Sequence, residues 1–123
     1  MFNRIVVQVA LRRTLALDNN TGWISYNHIK DQDSVISLMI HDIFGAEILK
    51  THKKKGWHFY NRINGERIDF AGQEMLKSSE DNHFEDIPSA PDEAYNYFQQ
   101  EDYSTFFMRF IRAFEEAVGL DKY

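Results

Sequence analysis

Along the first twenty residues, apolar side chains at Ile5, Val6, Val9, Leu11 and Leu15 recur near every third or fourth position, with charge between them. That spacing predicts an amphipathic helix, capped by Asn3 and ending near Asp18-Asn19-Asn20. Residues 21–32 hold no sustained period and contain Gly22, Asn27 and Asp31, so they read as a loop carrying Trp23 and Tyr26 inward. From 34 to 44 the chain is apolar almost all round, with Val35, Ile36, Leu38, Met39, Ile40, Ile43 and Phe44. This predicts the most buried helix of the protein, stopped by Gly45.

Residues 46–51 and 57–63 read as strands joined by a turn at 52–56. Asn64-Gly65 is a strong signal for a two-residue hairpin and leads into a third strand from Glu66 to about Phe70. After Gln73 the chain turns acidic and irregular as far as Asp102, with Pro88 and Pro91 as interruptions. Ser104 is then the expected cap of a last helix, whose stripe is Phe107, Phe110, Ile111, Phe114 and Val118 and whose stop is Gly119. The expected fold is α+β over a single domain, 1–123: a three-stranded antiparallel sheet packed with a buried central helix and N- and C-terminal helices.

A two-residue turn fixes the strand register, pairing Ile63 with Glu66, Asn61 with Ile68, Tyr60 with Asp69 and Phe59 with Phe70. Alternation then places Trp57, Phe59, Ile63, Ile68 and Phe70 on the core face. His58, Tyr60, Arg62, Arg67 and Asp69 fall on the other face, where chemistry has room. There His58 lies diagonally across from Asp69, within side-chain reach. A carboxylate that orients an imidazole is the supporting half of a nucleophile, His and Asp arrangement. The same pair also reads as a plain polar contact across two strands.

Composition narrows the chemistry. At 123 residues, with 43% hydrophobic positions, ten Phe and six Tyr, the chain can build a core without a metal or staple. Having no Cys excludes a thiol nucleophile, a disulfide and a cysteine-ligated metal, and fits a cytoplasmic protein. The net charge of -5 argues against nucleic acid. The one basic run, Lys53-Lys54-Lys55, reads as a solvated turn because no aromatic residues alternate with it. The apolar N-terminal stretch is broken by Gln8, Arg12 and Arg13 and has no cleavage site, so neither export nor membrane insertion is expected. His28, His41, His52 and His83 have no ligand-like spacing, and no cofactor is expected. Trp23, Tyr26 and Trp57 read either as the wall of a groove or, more simply, as aromatic core.

Two segments, DQDSVISLMIHDIFGAEIL at 31–49 and WHFYNRINGERIDF at 57–70, resemble the YunG-like family of small bacterial proteins. In the second, His58, Asn61, Arg62, Gly65, Ile68 and Asp69 all fall at matching places, while the C-terminal third matches much less. The resemblance implies a minimal papain-like layout, in which a helix N-terminus presents Cys toward a sheet that presents His and then Asp. At the family's Cys position this chain has Asp33, directly after Gln32. Asp33 reads first as a helix cap that replaced a nucleophile. It also reads as one member of an Asp33, His58 and Asp69 cluster able to hold a divalent cation, or as a carboxylate nucleophile. Ser34 as a displaced nucleophile is turned about 100° away on the helix.

These readings, with the acidic segment 74–102, point to a catalytically inactive domain that binds another protein, as an acidic inhibitor or decoy of phage or mobile-element type. The alternative is a remodelled hydrolase using Asp33, His58 and Asp69, with or without a metal. A structural or oligomer-forming role is the third. The expected state is a monomer or weak homodimer.

Overall fold

The computed structural model describes residues 2–21, 32–54, 56–70, 84–97 and 100–121. Trp23, Tyr26, His28, Lys55, His83 and the acidic positions within 71–83 lie outside the described residues. The chain divides into two compact units, Met1–Ile29 with Gln100–Tyr123, and Lys30–Gln99. The architecture is α+β, with four α-helices and one antiparallel sheet among the described residues.

The first unit is a helix pair, α1 (Arg4–Thr21) packed with α4 (Gln100–Asp121). Asn3 caps α1 as expected, its Oδ1 accepting the amides of Ile5 at 3.0 Å and Val6 at 3.1 Å. The buried stripe is Val6, Val7, Ala10, Leu11 and Thr14, whereas Ile5 is 74% exposed and Val9 also lies outward. Thr14 is accommodated in this stripe because its hydroxyl donates to the Ala10 carbonyl at 2.8 Å. Helix α4 corrects its predicted ends: it begins before Ser104 and runs through Gly119. Its buried residues are Tyr103, Phe106, Phe110, Ala113 and Ala117, a stripe rotated from the predicted one, with Phe107, Ile111, Phe114 and Val118 only half-buried. An Arg13–Glu116 ion pair at 3.7 Å joins the two helices.

The second unit carries α2 (Asp33–Phe44), β1 (Glu47–Lys53), β2 (Gly56–Ile63), β3 (Glu66–Ile68), β4 (Ile87–Pro88) and a short α3 (Pro91–Ala94). The sheet order is β3-β2-β1-β4, so the three predicted strands gain a fourth at the outer edge of β1. The Asn64-Gly65 turn forms as predicted, both residues at positive φ (53° and 78°), and sets the Ile63–Glu66 and Asn61–Ile68 pairs. The predicted turn at 52–56 is shorter, because β1 continues to Lys53, which pairs with Gly56. Helix α2 stops at Gly45 in a left-handed conformation (φ 73°), its amide bonded to the His41 carbonyl. His41 in turn donates from Nδ1 to the Ala46 carbonyl at 2.8 Å.

Asn61 fastens α2 to the sheet. It is buried, and its Nδ2 donates to the Ser37 carbonyl at 2.9 Å and the Glu47 carbonyl at 3.1 Å. A carboxamide offers two protons, and here both are used. Alternation alone places Tyr60 on the polar face, yet it is only 1% exposed. Phe84 packs edge-on against its ring at 4.9 Å, and its hydroxyl donates to Asp86 Oδ1 at 2.7 Å. Conversely Trp57, Ile63 and Phe70, assigned to the core face, are half-buried, the first two near the ends of β2 and Phe70 beyond the end of β3.

Candidate functional site

Strand β3 ends at Ile68, so the predicted Tyr60–Asp69 and Phe59–Phe70 ladder pairs do not form. In this register the Phe59 amide points to the β3 side and is left without a ladder acceptor. Asp33 supplies one. Its Oδ2 accepts the Phe59 N–H at 2.6 Å, joining the first turn of α2 to the middle of β2. Asp33 is therefore not the cap of α2: the N-cap is Gln32, which makes no side-chain capping bond, and Asp33 is the first helical residue. A carboxylate in that turn still favours the helix dipole, but its oxygen is aimed across at the strand.

The same oxygen stands 3.5 Å from His58 Nδ1, and His58 Nε2 donates to Asp69 Oδ2 at 2.8 Å. The contact between His58 and Asp69 expected from the register is thus present, although the ladder stops one residue short of it. All three side chains are largely withdrawn from solvent, 13% of His58, 12% of Asp69 and 9% of Asp33 remaining exposed. The structure therefore brings Asp33, His58 and Asp69 together as an imidazole between two carboxylates, one facing each ring nitrogen.

Burial opposes the charge on His58, but the Asp69 hydrogen bond and the charges of Asp69 and Asp33 outweigh it and lift its pKa above the ordinary 6.5. Burial also raises the carboxyl of Asp33 above its usual range, more than the Phe59 amide and His58 lower it. Because His58 binds its proton more tightly folded than unfolded, the stability it contributes is complete below pH 6.5 and is lost as pH rises through the folded value. Urea unfolding between pH 6 and about pH 9 checks this: the wild type is expected to lose stability relative to His58→Gln over that range. Parallel profiles for the two proteins would show that His58 is not held as a cation.

No group of three or more His, Asp or Glu among the described residues has the placement to hold a metal ion, and each ring nitrogen of His58 already faces a carboxylate. Ser34, the displaced-nucleophile candidate, is buried in α2, with no partner for its hydroxyl among the described residues. Among the remaining candidates, His52 packs at a tilt against Trp57 with ring centres 3.8 Å apart, and Lys50 Nζ lies 4.1 Å from the centre of the same indole.

Sequence reasoning missed Gln32. Its carboxamide is buried and neither its oxygen nor its nitrogen has a partner among the described residues. The only sequence signal is its position immediately before Asp33. An orphaned buried amide costs about 1–3 kcal/mol, so Gln32→Met, similar in shape and without the polar group, is expected to raise stability by about 1 kcal/mol in urea unfolding. A loss of that size instead would show that the carboxamide is bonded in solution.

The YunG protein family model matches residues 2–115. An uncharacterised YunG protein of Bacillus subtilis (strain 168) is 33% identical over 97 residues, which cover 79% of this chain and 82% of that protein. No solved structure matches. No helix among the described residues is long and apolar enough to cross a membrane.

Proposed function

The chain belongs to the YunG family, and on that footing we propose that it is a non-catalytic domain of papain-like layout that acts by binding another protein. One observation carries the reading: both ring nitrogens of His58 face carboxylates, and Asp33 occupies the position from which the resemblance implies a thiol. A general base needs a lone pair within reach of the proton it removes. Both nitrogens of His58 already face carboxylates, Nε2 in a 2.8 Å hydrogen bond to Asp69, and Asp33 Oδ2 is committed to the Phe59 amide. The cluster functions as a clamp between α2 and β2. This argues equally against the remodelled hydrolase built on Asp33, His58 and Asp69.

A cytoplasmic site of action fits the cysteine-free chain. The acidic decoy is the weaker form of the binding reading, because Glu85, Asp86 and Glu93 are paired with the chain's own His52, Arg67 and Lys50. Turnover of p-nitrophenyl esters and peptide amides decides between inactivity and hydrolysis. The wild type is expected to match buffer alone. A rate above buffer that disappears in folded His58→Ala would overturn the reading and restore the hydrolase.

A further inference from the structure

Residues 84–89 lie along the outer edge of β1 and over the polar face of the sheet, held by side-chain chemistry as much as by strand pairing. Only Ile87 and Pro88 pair with β1, opposite Lys50 and Leu49, and Ser89 adds an amide bond to the Ile48 carbonyl at 2.9 Å. The rest of the hold is recognition of particular groups. Phe84 sits against Tyr60, with the Arg67 guanidinium 4.6 Å and Lys53 Nζ 5.1 Å from its ring centre. Glu85 Oε1 accepts the His52 backbone amide at 2.8 Å and its ring Nδ1–H at 2.9 Å, while the Glu85 amide donates to Thr51 Oγ1 at 3.0 Å. Asp86 takes a two-pronged bond from Arg67 at 3.0 and 2.6 Å, and Tyr60 both donates to its carboxylate and accepts its amide.

We propose that the outer edge of β1, together with Tyr60 and Arg67, is a binding site for an extended peptide in which an aromatic residue precedes two carboxylates, occupied in this chain by its own residues 84–89. This rests on the binding-protein reading and names the class of partner. The mode is strand addition, in which backbone bonds supply the seat and alternate side chains the selectivity. The cationic rim matches an acidic-aromatic segment and would reject a basic one. Two features make the internal segment displaceable. Its ion pairs are partly exposed, His52 at 63% and Arg67 at 42%, and such pairs are individually weak. Asp86 also holds a left-handed backbone (φ 55°), a conformation that costs a non-glycine residue free energy although Asp tolerates it better than most.

The test is fluorescence polarisation with a labelled peptide Phe-Glu-Asp-Ile-Pro-Ser-Ala, titrated with the wild type and with Phe84→Ala/Asp86→Ala in the full chain. The tethered segment competes at an effective concentration in the millimolar range, so the loosened variant is expected to bind at least about tenfold more tightly than the wild type. Adding Arg67→Ala to that variant should abolish binding, and a scrambled peptide should not bind. Equal affinity of wild type and folded variant, or equal binding of the scrambled peptide, would overturn the proposal. If the double variant does not unfold cooperatively, Phe84→Ala alone, which keeps the bonds of Glu85 and Asp86, is judged by the same criteria. Failure here removes this site only, since the non-catalytic reading is decided separately by turnover.

Discussion

Asp33→Ala is expected to destabilise the protein by about 3 kcal/mol, among the largest effects of any single polar substitution in the chain. Two losses combine. The Phe59 amide, which has no ladder acceptor once β3 ends at Ile68, is left buried and unpaired, at a cost of about 1–3 kcal/mol. His58 simultaneously loses one of the two carboxylates that face its largely buried ring. Asp33→Asn separates the contributions: its carboxamide oxygen still accepts the Phe59 amide while the charge is gone, so it should cost about 1 kcal/mol. Urea unfolding at constant pH measures both. Should Asp33→Ala prove neutral, Asp33 is not the clamp between α2 and β2, and the account of the cluster as a structural tie falls with it.

What the sequence disclosed and what it hid follow from how local each determinant is. Helix α2 was legible because its apolar residues run almost all round and Gly45 marks its end, and both signals lie within the element. The Asn64-Gly65 turn was equally local, and it carried the His58–Asp69 contact with it. In α1 and α4 only part of the predicted stripe, Val6, Leu11 and Phe110, is buried, because large side chains alone do not mark the inward face. The inward faces instead include Ala10, Ala113 and Ala117, small residues that let two helices approach closely. Strand β4 was invisible since Pro88 and the acidic residues around it read as a broken segment. Its placement depends on partners far along the chain: Glu85 on His52, Asp86 on Arg67 and Tyr60. The same distance effect hid the role of Asp33, which looked like a cap until the end of β3 exposed the amide it satisfies.

The strongest expected gain comes from placing a thiol at the position of Asp33. In Asp33→Cys the sulfur stands in the first turn of α2, where the helix dipole favours an anion, beside the Phe59 amide and within range of the His58 Nδ1–H. With one carboxylate removed, Asp69 still orients the ring through Nε2, so His58 has the geometry to stabilise a thiolate from its other nitrogen. Such surroundings lower a cysteine pKa from about 8.5 to between about 3.5 and 7.5. Alkylation by iodoacetamide at about pH 6 should then proceed at least about tenfold faster than for free cysteine, even allowing for the lower nucleophilicity of a low-pKa thiolate. The enhancement should disappear in Asp33→Cys/His58→Ala. Since the chain has no other cysteine, every alkylated molecule reports on this site alone. A thiol that reacts no faster than free cysteine in a folded protein would mean that Asp33, His58 and Asp69 were assembled for stability from the outset. A fast one, extinguished by the loss of His58, would mean that the surroundings of a thiol nucleophile persist around a carboxylate that has taken its place.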